Sequence, residues 1–346
     1  MANYATAVLN TAKYKVSEMM QQTEFKVKPA STLMTYLKNT EFVAPASSFE
    51  AALATKSTDQ QSVSVNLLNK QSISTGSARA AAHTGSINDS RATTITFATY
   101  SAPFKFSLKG ADRNIYSVAE QYAGQLRSAA IALHEAIETA ALARLNTNKS
   151  QVVVSATPRN LTWDAAGYIA QVAGSDVDRF PQFLKSFMRQ QYLTGQMDGI
   201  FDEFAMAEFE RIAYQGAGNS ENLQFQVGGI SAMGTQELAL DTGYDGMGYI
   251  FPTGSIGVLP WIPSLNRSGF GDTFQNGGLY DSIADPLGSG LTFALHQRAA
   301  GADNESAAGE TQDVDIEVEL SVDLGFFEAT TSTSNLTPIF KFGIQS

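Results

Sequence analysis

The sequence contains no cysteine, which excludes a disulfide framework and a thiolate-bound metal site. It also lacks any uninterrupted apolar run of about 18 residues, the length that reads as a membrane-crossing helix. The opening stretch, MANYATAVLNTAKYKVSEMM, has no apolar signal-peptide core. These absences predict synthesis and folding in a reducing cytoplasm, with no membrane partner. Charge is scarce too: Asp, Glu, Lys and Arg make up 16% of the residues, against about 25% in typical soluble domains. A surface poor in charge is expected where copies or partners cover much of it.

Catalytic patterns are also missing. GISAMG and TGSIG fail the spacing of a nucleophile elbow, and no glycine-rich phosphate loop opens a helix. Three histidines occur, His83, His134 and His296. HEAIE sets His134 and Glu138 one helical turn apart, a geometry able to share a metal. The second histidine of the zinc-protease pattern is absent, so a satisfied or solvated histidine is the simpler reading. No enzyme and no cofactor are expected.

What is present is a 346-residue chain, 43% apolar, enough for a substantial core and, as a soft prior, about two domains. Its net charge of −11 is uneven. Residues 1–38 hold five lysines and two glutamates, a net of +3, whereas residues 301–346 hold nine acids against Lys341, a net of −8. Such a chain is repelled by nucleic-acid phosphates unless a basic stripe intervenes. The amino-terminal lysines are too few and too spaced to form one.

Periodicity divides the chain. Residues 1–55 carry a short helical pattern, STLMTYLKN, and no independent core. From 57 to 108, QSVSVNLL, TTITF and FKFSL alternate as strands around a polar segment. This predicts an extended hairpin that needs a neighbour, since an isolated two-stranded ribbon is marginal in water. Residues 114–148 place Ile115, Val118, Tyr122, Leu126, Ala129, Leu133, Ile137, Ala141 and Leu145 on one helical stripe. Asn114 serves as N-cap, SVAE as a capping box, and Gly124 as the candidate bend. A helix over that span would be about 52 Å long.

QVVVS then reads as a strand; DAAGYIAQVAG, FPQFLKSFMRQQYL and FAMAEFERIAYQ read as helices; MDGIFDEF holds a buried strand. Residues 216–290 contain 16 of the 28 glycines, and YDGMGYIF carries an Asp-Gly hairpin signal. After ESAAGETQ, Val314, Ile316, Val318, Leu320, Val322 and Leu324 alternate with Asp313, Asp315, Glu317, Glu319 and Asp323. Carboxylates at every second residue sit about 7 Å apart on one strand face. Calcium wants six to eight converging oxygens, which a straight strand does not supply, so this face reads as solvated or partner-facing. TPIFKFGI closes the chain as another strand.

The order of arm, long hairpin, long helix, glycine-rich mixed lobe and closing strands resembles the major capsid proteins of tailed bacteriophages. Encapsulin nanocompartments share that fold. The resemblance implies an α+β, HK97-like fold: an N-terminal arm (1–55), an extended β-hairpin loop (56–109), a peripheral domain with a spine helix (110–163), an axial domain (164–300) and returning peripheral strands (301–346). It implies a structural subunit that self-assembles, as hexamers and pentamers, into an icosahedral or prolate shell around double-stranded DNA. The location implied is the virion, with assembly in the host cytoplasm. Further implied partners are portal, scaffold or decoration proteins, and packaged DNA without sequence-specific contact. An encapsulin shell is the nearest alternative, and a tail or fibre component the next. Some capsid proteins cross-link a lysine to an asparagine between subunits. Lys70 lies near the hairpin tip, but no partner residue is identifiable, and that chemistry is not carried over. The basic arm, with Lys13, Lys15, Lys26 and Lys28, is expected to run over Asp313, Asp315, Glu317 and Glu319 of its own or a neighbouring subunit. These residues and Lys70 are the candidate inter-subunit contacts.

Overall fold

The computed structural model describes residues 9–16, 30–43, 46–68, 90–107, 118–154, 161–215, 224–227, 229–267, 278–301, 314–330 and 335–346. The described helices of eight or more residues are α1 (residues 9–16), α2 (Ser31–Thr40), α3 (Ala46–Thr55), α4 (Val118–Asn148), α5 (Phe180–Gln190) and α6 (Glu203–Gln215). The strands are β1 (Ser62–Leu68), β2 (Ser90–Ser107), β3 (Thr162–Asp164), β4 (Ile169–Val172), β5 (Met197–Phe201), β6 (Gln224–Val227) and β7 (Ile230–Gly234). They continue with β8 (Tyr244–Pro252), β9 (Ile256–Trp261), β10 (Gly278–Ala284), β11 (Thr292–Gly301), β12 (Val314–Glu328) and β13 (Phe340–Gln345).

The apolar stripe of α4 does what its spacing predicts. Tyr122, Leu126, Ala129, Leu133, Ile137, Ala141 and Leu145 are all buried along one unbroken helix of 31 residues, about 46 Å long at 1.5 Å per residue. Asn114 and Ser117 lie outside the described residues. The helix runs through Gly124 without interruption, and a Cβ added there would meet nothing within 4 Å.

α4 packs on the six-stranded sheet β1-β2-β12-β11-β10, in which β9 also pairs with β12. The faultless alternation of β12 sends Ile316, Val318, Leu320, Val322 and Leu324 into the core beneath α4. TTITF and FKFSL, read as separate runs, are one strand of 18 residues. Its first part, Ser90–Thr96, pairs with β1, and Phe97–Ser107 pairs with β12. The hairpin thus grows out of the sheet. Its base is supported within the chain by α3 and β9, through Phe49, Ala52, Val63, Ile95, Phe97 and Leu259. Residues 69–89, the expected tip, lie outside the described residues.

The second sheet has seven strands in the order β3-β4-β13-β8-β5-β7-β6, with β13–β4 and β5–β7 parallel. An aromatic core fills it: Phe180, Phe187, Phe201, Phe209, Phe340 and Phe342 are each wholly buried. Phe180, Leu184 and Phe187 come from one face of α5, as the FPQFLKSF spacing predicts. β5 is buried at all five positions, as expected for MDGIF.

Four local readings are corrected. DAAGYIAQVAG is not helical; it turns between β3 and β4. The Asp164 carboxylate accepts the amides of Ala166 and Gly167, and Tyr168 takes φ +56°, a side-chain-to-backbone turn that overrides alanine propensity. The described residues of QVVVS, 151–154, are assigned to no strand. YDGMGYIF contains no turn, because β8 runs straight through Asp245 and Gly246. Its glycines permit close approach instead: a Cβ on Gly246 would lie 2.8 Å from Phe204, and one on Gly248 would lie 2.6 Å from Phe342. The closing strand does not return beside β12. β13 lies between β4 and β8, where Phe340, Lys341, Phe342, Gly343 and Ile344 are buried on both faces, an environment that an interior strand position supplies.

The described helices of the arm pack into the cores of the rest of the chain. Leu9, Ala12 and Val16 of α1 and Leu33 and Tyr36 of α2 join the same core as α4 and β12. α2 packs at once on β9, α4, β5 and β7, where the two sheets meet.

Candidate interaction surfaces

The pleat of β12 that buries its apolar residues turns its acids outward, and the neighbouring strands answer them. Register places Glu317 between Arg298 of β11 and Lys105 of β2. Arg298 Nη2 donates to Glu317 Oε2 at 2.6 Å, both side chains being substantially exposed. Glu319 stands between His296 and Pro103, and the His296 ring stacks on Tyr280 with centroids 4.5 Å apart. Burial pushes the His296 pKa down; Glu319 opposes that and Arg298 adds to it. Asp323 accepts from Thr99 Oγ1 at 2.7 Å and Lys56 Nζ at 3.2 Å. Lys56 itself is buried over the Trp261 ring, 4.0 Å from its centroid. A cavity of about 440 Å³ lies over Phe104, Lys105, His296, Arg298, Glu317 and Glu319. Of the acids read from sequence as a row, Glu317 and Asp323 are thus paired with cations of their own chain. Asp313 lies outside the described residues. Asp315 is paired in β12 opposite Ala300 and Ser107, with its side chain outside them.

The arm lysines that are described do not reach that face in their own chain. Lys13 Nζ donates to Asp281 Oδ2 at 2.7 Å and to the Ser282 carbonyl at 2.9 Å, both in β10. Lys15 Nζ donates to Glu120 Oε1 of α4 at 2.9 Å. The cause is the helical phase of α1: burying Leu9, Ala12 and Val16 leaves both lysines flanking α4 and β10. Lys26, Lys28 and Lys70 lie outside the described residues.

Sequence reading missed a third polar cluster, built around α2. Ala30 at the N-cap offers no side-chain cap. The carboxylate of Glu138, reaching from α4, takes the amides of Thr32 and Leu33 at 2.9 and 3.1 Å and the Thr235 hydroxyl at 3.1 Å. At the other end, Asp198 of β5 accepts from Asn39, Lys38 and Thr253. Asn39 Oδ1 accepts the Gly254 amide at 2.6 Å. Beside them Arg144 grips Glu328 with two nitrogens, at 3.2 and 3.1 Å, and the Tyr36 hydroxyl donates to the same carboxylate. Burial raises the Glu328 pKa despite Arg144, and it raises that of Tyr36 well above the usual range.

His134 and Glu138, candidates for a shared metal, serve different partners. His134 Nε2 meets Asp285 Oδ2 at 2.8 Å, whereas Glu138 caps α2. Among the described residues no three His, Asp or Glu side chains gather as a metal site. A larger cavity of about 550 Å³, lined in part by Glu50, Trp261, Arg267 and Ser282, holds no histidine. The polar groups of this chain thus hold elements together or face outward; they converge on no reaction centre among the described residues.

No protein-family model and no curated protein matches the sequence. Solved structures do match in shape. The cyanophage A-1(L) capsid asymmetric unit aligns with a TM-score of 0.54 at 11% identity, over 93% of this chain and 94% of that one. The cyanophage Pam1 capsid asymmetric unit aligns with a TM-score of 0.53 at 9% identity, over 94% of each chain. A Mycobacterium phage Che8 chain aligns with a TM-score of 0.51 at 10% identity, over 93% of each. With a single long helix laid on one sheet, a hairpin growing from that sheet and a second aromatic-cored lobe, the chain has the α+β, HK97-like fold of tailed-phage capsid proteins.

Proposed function

We infer that this chain is a structural shell subunit that self-assembles, as hexamers and pentamers, into a closed icosahedral or prolate particle around double-stranded phage DNA. The observation that carries this reading is the likeness of fold along 93–94% of the chain to two phage capsid asymmetric units. Physical features support it. A long rigid helix on a sheet stiffens a subunit without a thick core, and a net charge of −11 suits a wall that must not grip phosphates. Permanent assemblies often bury 2,000 Å² or more per interface (about 2,000–5,000 Å²), which a surface poor in charge accommodates. In this reading the location is the virion, with assembly in the host cytoplasm and with portal, scaffold or decoration proteins as further partners. The proposed contacts between copies are Lys26 and Lys28 of the arm against Asp313, Asp315 and Glu319, with Lys70 as a further contact to which no partner residue is assigned. Lys13, Lys15 and Glu317 already have partners within the chain.

Electron microscopy of the expressed protein tests the reading. Closed shells are expected, with nuclease-protected DNA in particles from infected cells. Tubes would point to a tail component, protein cargo to an encapsulin-like compartment, and a monomer at every concentration would overturn the proposal.

A further inference from the structure

The segment after α4, Ser-Gln-Val-Val-Val at 150–154, has strand composition and no strand partner. The Ser150 amide donates to the Ile339 carbonyl at 2.7 Å, the Gln151 amide to that of Asn335 at 2.9 Å, and the Val154 amide to Gln191 Oε1 at 2.6 Å, while the Val152 carbonyl accepts from Ser150 Oγ at 2.7 Å within the segment. Its side chains alternate as in a strand. Val153 packs against the aromatic core, while Val152 and Val154 remain 39% and 45% exposed. The bond to Gln191 sets Val154 beside the turn that ends α5. There Tyr192 adopts φ +60° and is 80% exposed. That left-handed position, closed by the Leu193 amide on the Met188 carbonyl, is one where glycine is the residue of least strain. An aromatic ring there serves neither the turn nor the core.

The corner also carries no acid. Residues 150–154 and 191–195 include no Asp, Glu, Lys, Arg or His, and the charged residues that flank them nearest in sequence, Lys149 and Arg189, are cations, in a chain of net charge −11. Identical acidic chains repel, so an apolar corner without acids is where two copies approach at least electrostatic cost. Tyrosine is among the residues that dominate interface energetics.

We propose that the corner formed by Val152, Val154 and Tyr192 is a contact surface for a second copy of this chain; the proposal rests on the shell reading and assigns part of its interface. Two variants test it, Tyr192→Gly and the double variant Val152→Thr/Val154→Thr, each compared with wild type by urea unfolding, sedimentation and electron microscopy. Glycine relieves the left-handed turn, so the Tyr192→Gly subunit should keep or raise its urea midpoint. The protein concentration needed for assembly should rise about tenfold or more, as expected for loss of a hot-spot side chain. Shells forming at wild-type concentration in both variants would overturn the contact and leave the shell reading intact. Wild-type protein that associates without closing shells, an association lost in Tyr192→Gly, would support the contact and overturn the shell reading. Wild-type protein that never associates would overturn both.

Discussion

Glu138 shows how one side chain can organise a joint. On α4 it falls beside Ile137 and Ala141, a charged residue on the buried side of an apolar stripe. A carboxylate buried that way requires donors, and it finds them at the uncapped start of α2. Alanine at 138 would strand two amides and a hydroxyl, so Glu138→Ala should lower stability by about 2–5 kcal/mol. Glu138→Gln, which keeps one acceptor oxygen, should lower it less. Urea unfolding of both variants separates the two losses. Asp285 adds a pH dependence. Burial alone would push its carboxyl up, but hydrogen bonds from His134, Ser289 and the Leu287 amide hold it below its ordinary 3.8. A carboxylate with a depressed folded pKa contributes stability above the unfolded value and loses it as pH falls through the folded one. Asp285→Asn should therefore be less stable than wild type at pH 7 by about 1–3 kcal/mol, and the gap should close as the pH drops below 3.8.

Elements were legible where one pattern dominated over many residues. α4 and β12 are long, and each repeats a single period, so their buried faces follow directly from spacing. The short stretches failed where a local bond or a tertiary contact outweighed propensity. Asp164 made a turn out of an alanine-rich segment, and Phe204 and Phe342 made close-approach sites of Gly246 and Gly248. The cluster around α2 had a faint signal, Glu138 on the buried side of an apolar stripe; its partners, 97 to 106 residues away, had none. Two predictions belong here. Gly124 lies in the interior of α4 with open space around it, so Gly124→Ala should raise stability by about 0.5–1 kcal/mol, visible as a higher thermal midpoint. On β12, Glu317→Lys would set three cations in one cross-strand row with Arg298 and Lys105, whereas Glu319→Lys would not. Like charges directly opposite one another destabilise pairing, each such pair by roughly 0.2–1 kcal/mol. Glu317→Lys should therefore lower the thermal midpoint more than Glu319→Lys, which makes Glu319→Lys the cleaner probe of assembly.

At the scale of the molecule, the described helices of the arm are structural to their own chain. α1 and α2 contribute Leu9, Ala12, Val16, Leu33 and Tyr36 to the main core, and α2 supplies partners to Glu138, Asp198 and Glu328. Removing residues 1–43 would expose that core and leave three buried carboxylates short of donors. The truncated chain should fail to fold, appearing insoluble or without a cooperative unfolding transition. A soluble, cooperatively folded truncation would show that α2 is dispensable.

The sequence by itself determined the long rod, the alternating strand, the hairpin and the poverty of charge. Each is a matter of local period or composition, which neighbours in the chain settle among themselves. Tertiary structure alone decided that Lys13 and Lys15 pair with β10 and α4, that Glu317 of β12 meets Arg298 of β11 while Asp323 meets Lys56, and that β13 enters the second sheet. Those outcomes depend on register and on which surfaces meet across hundreds of residues, and a one-dimensional pattern carries no distance of that kind.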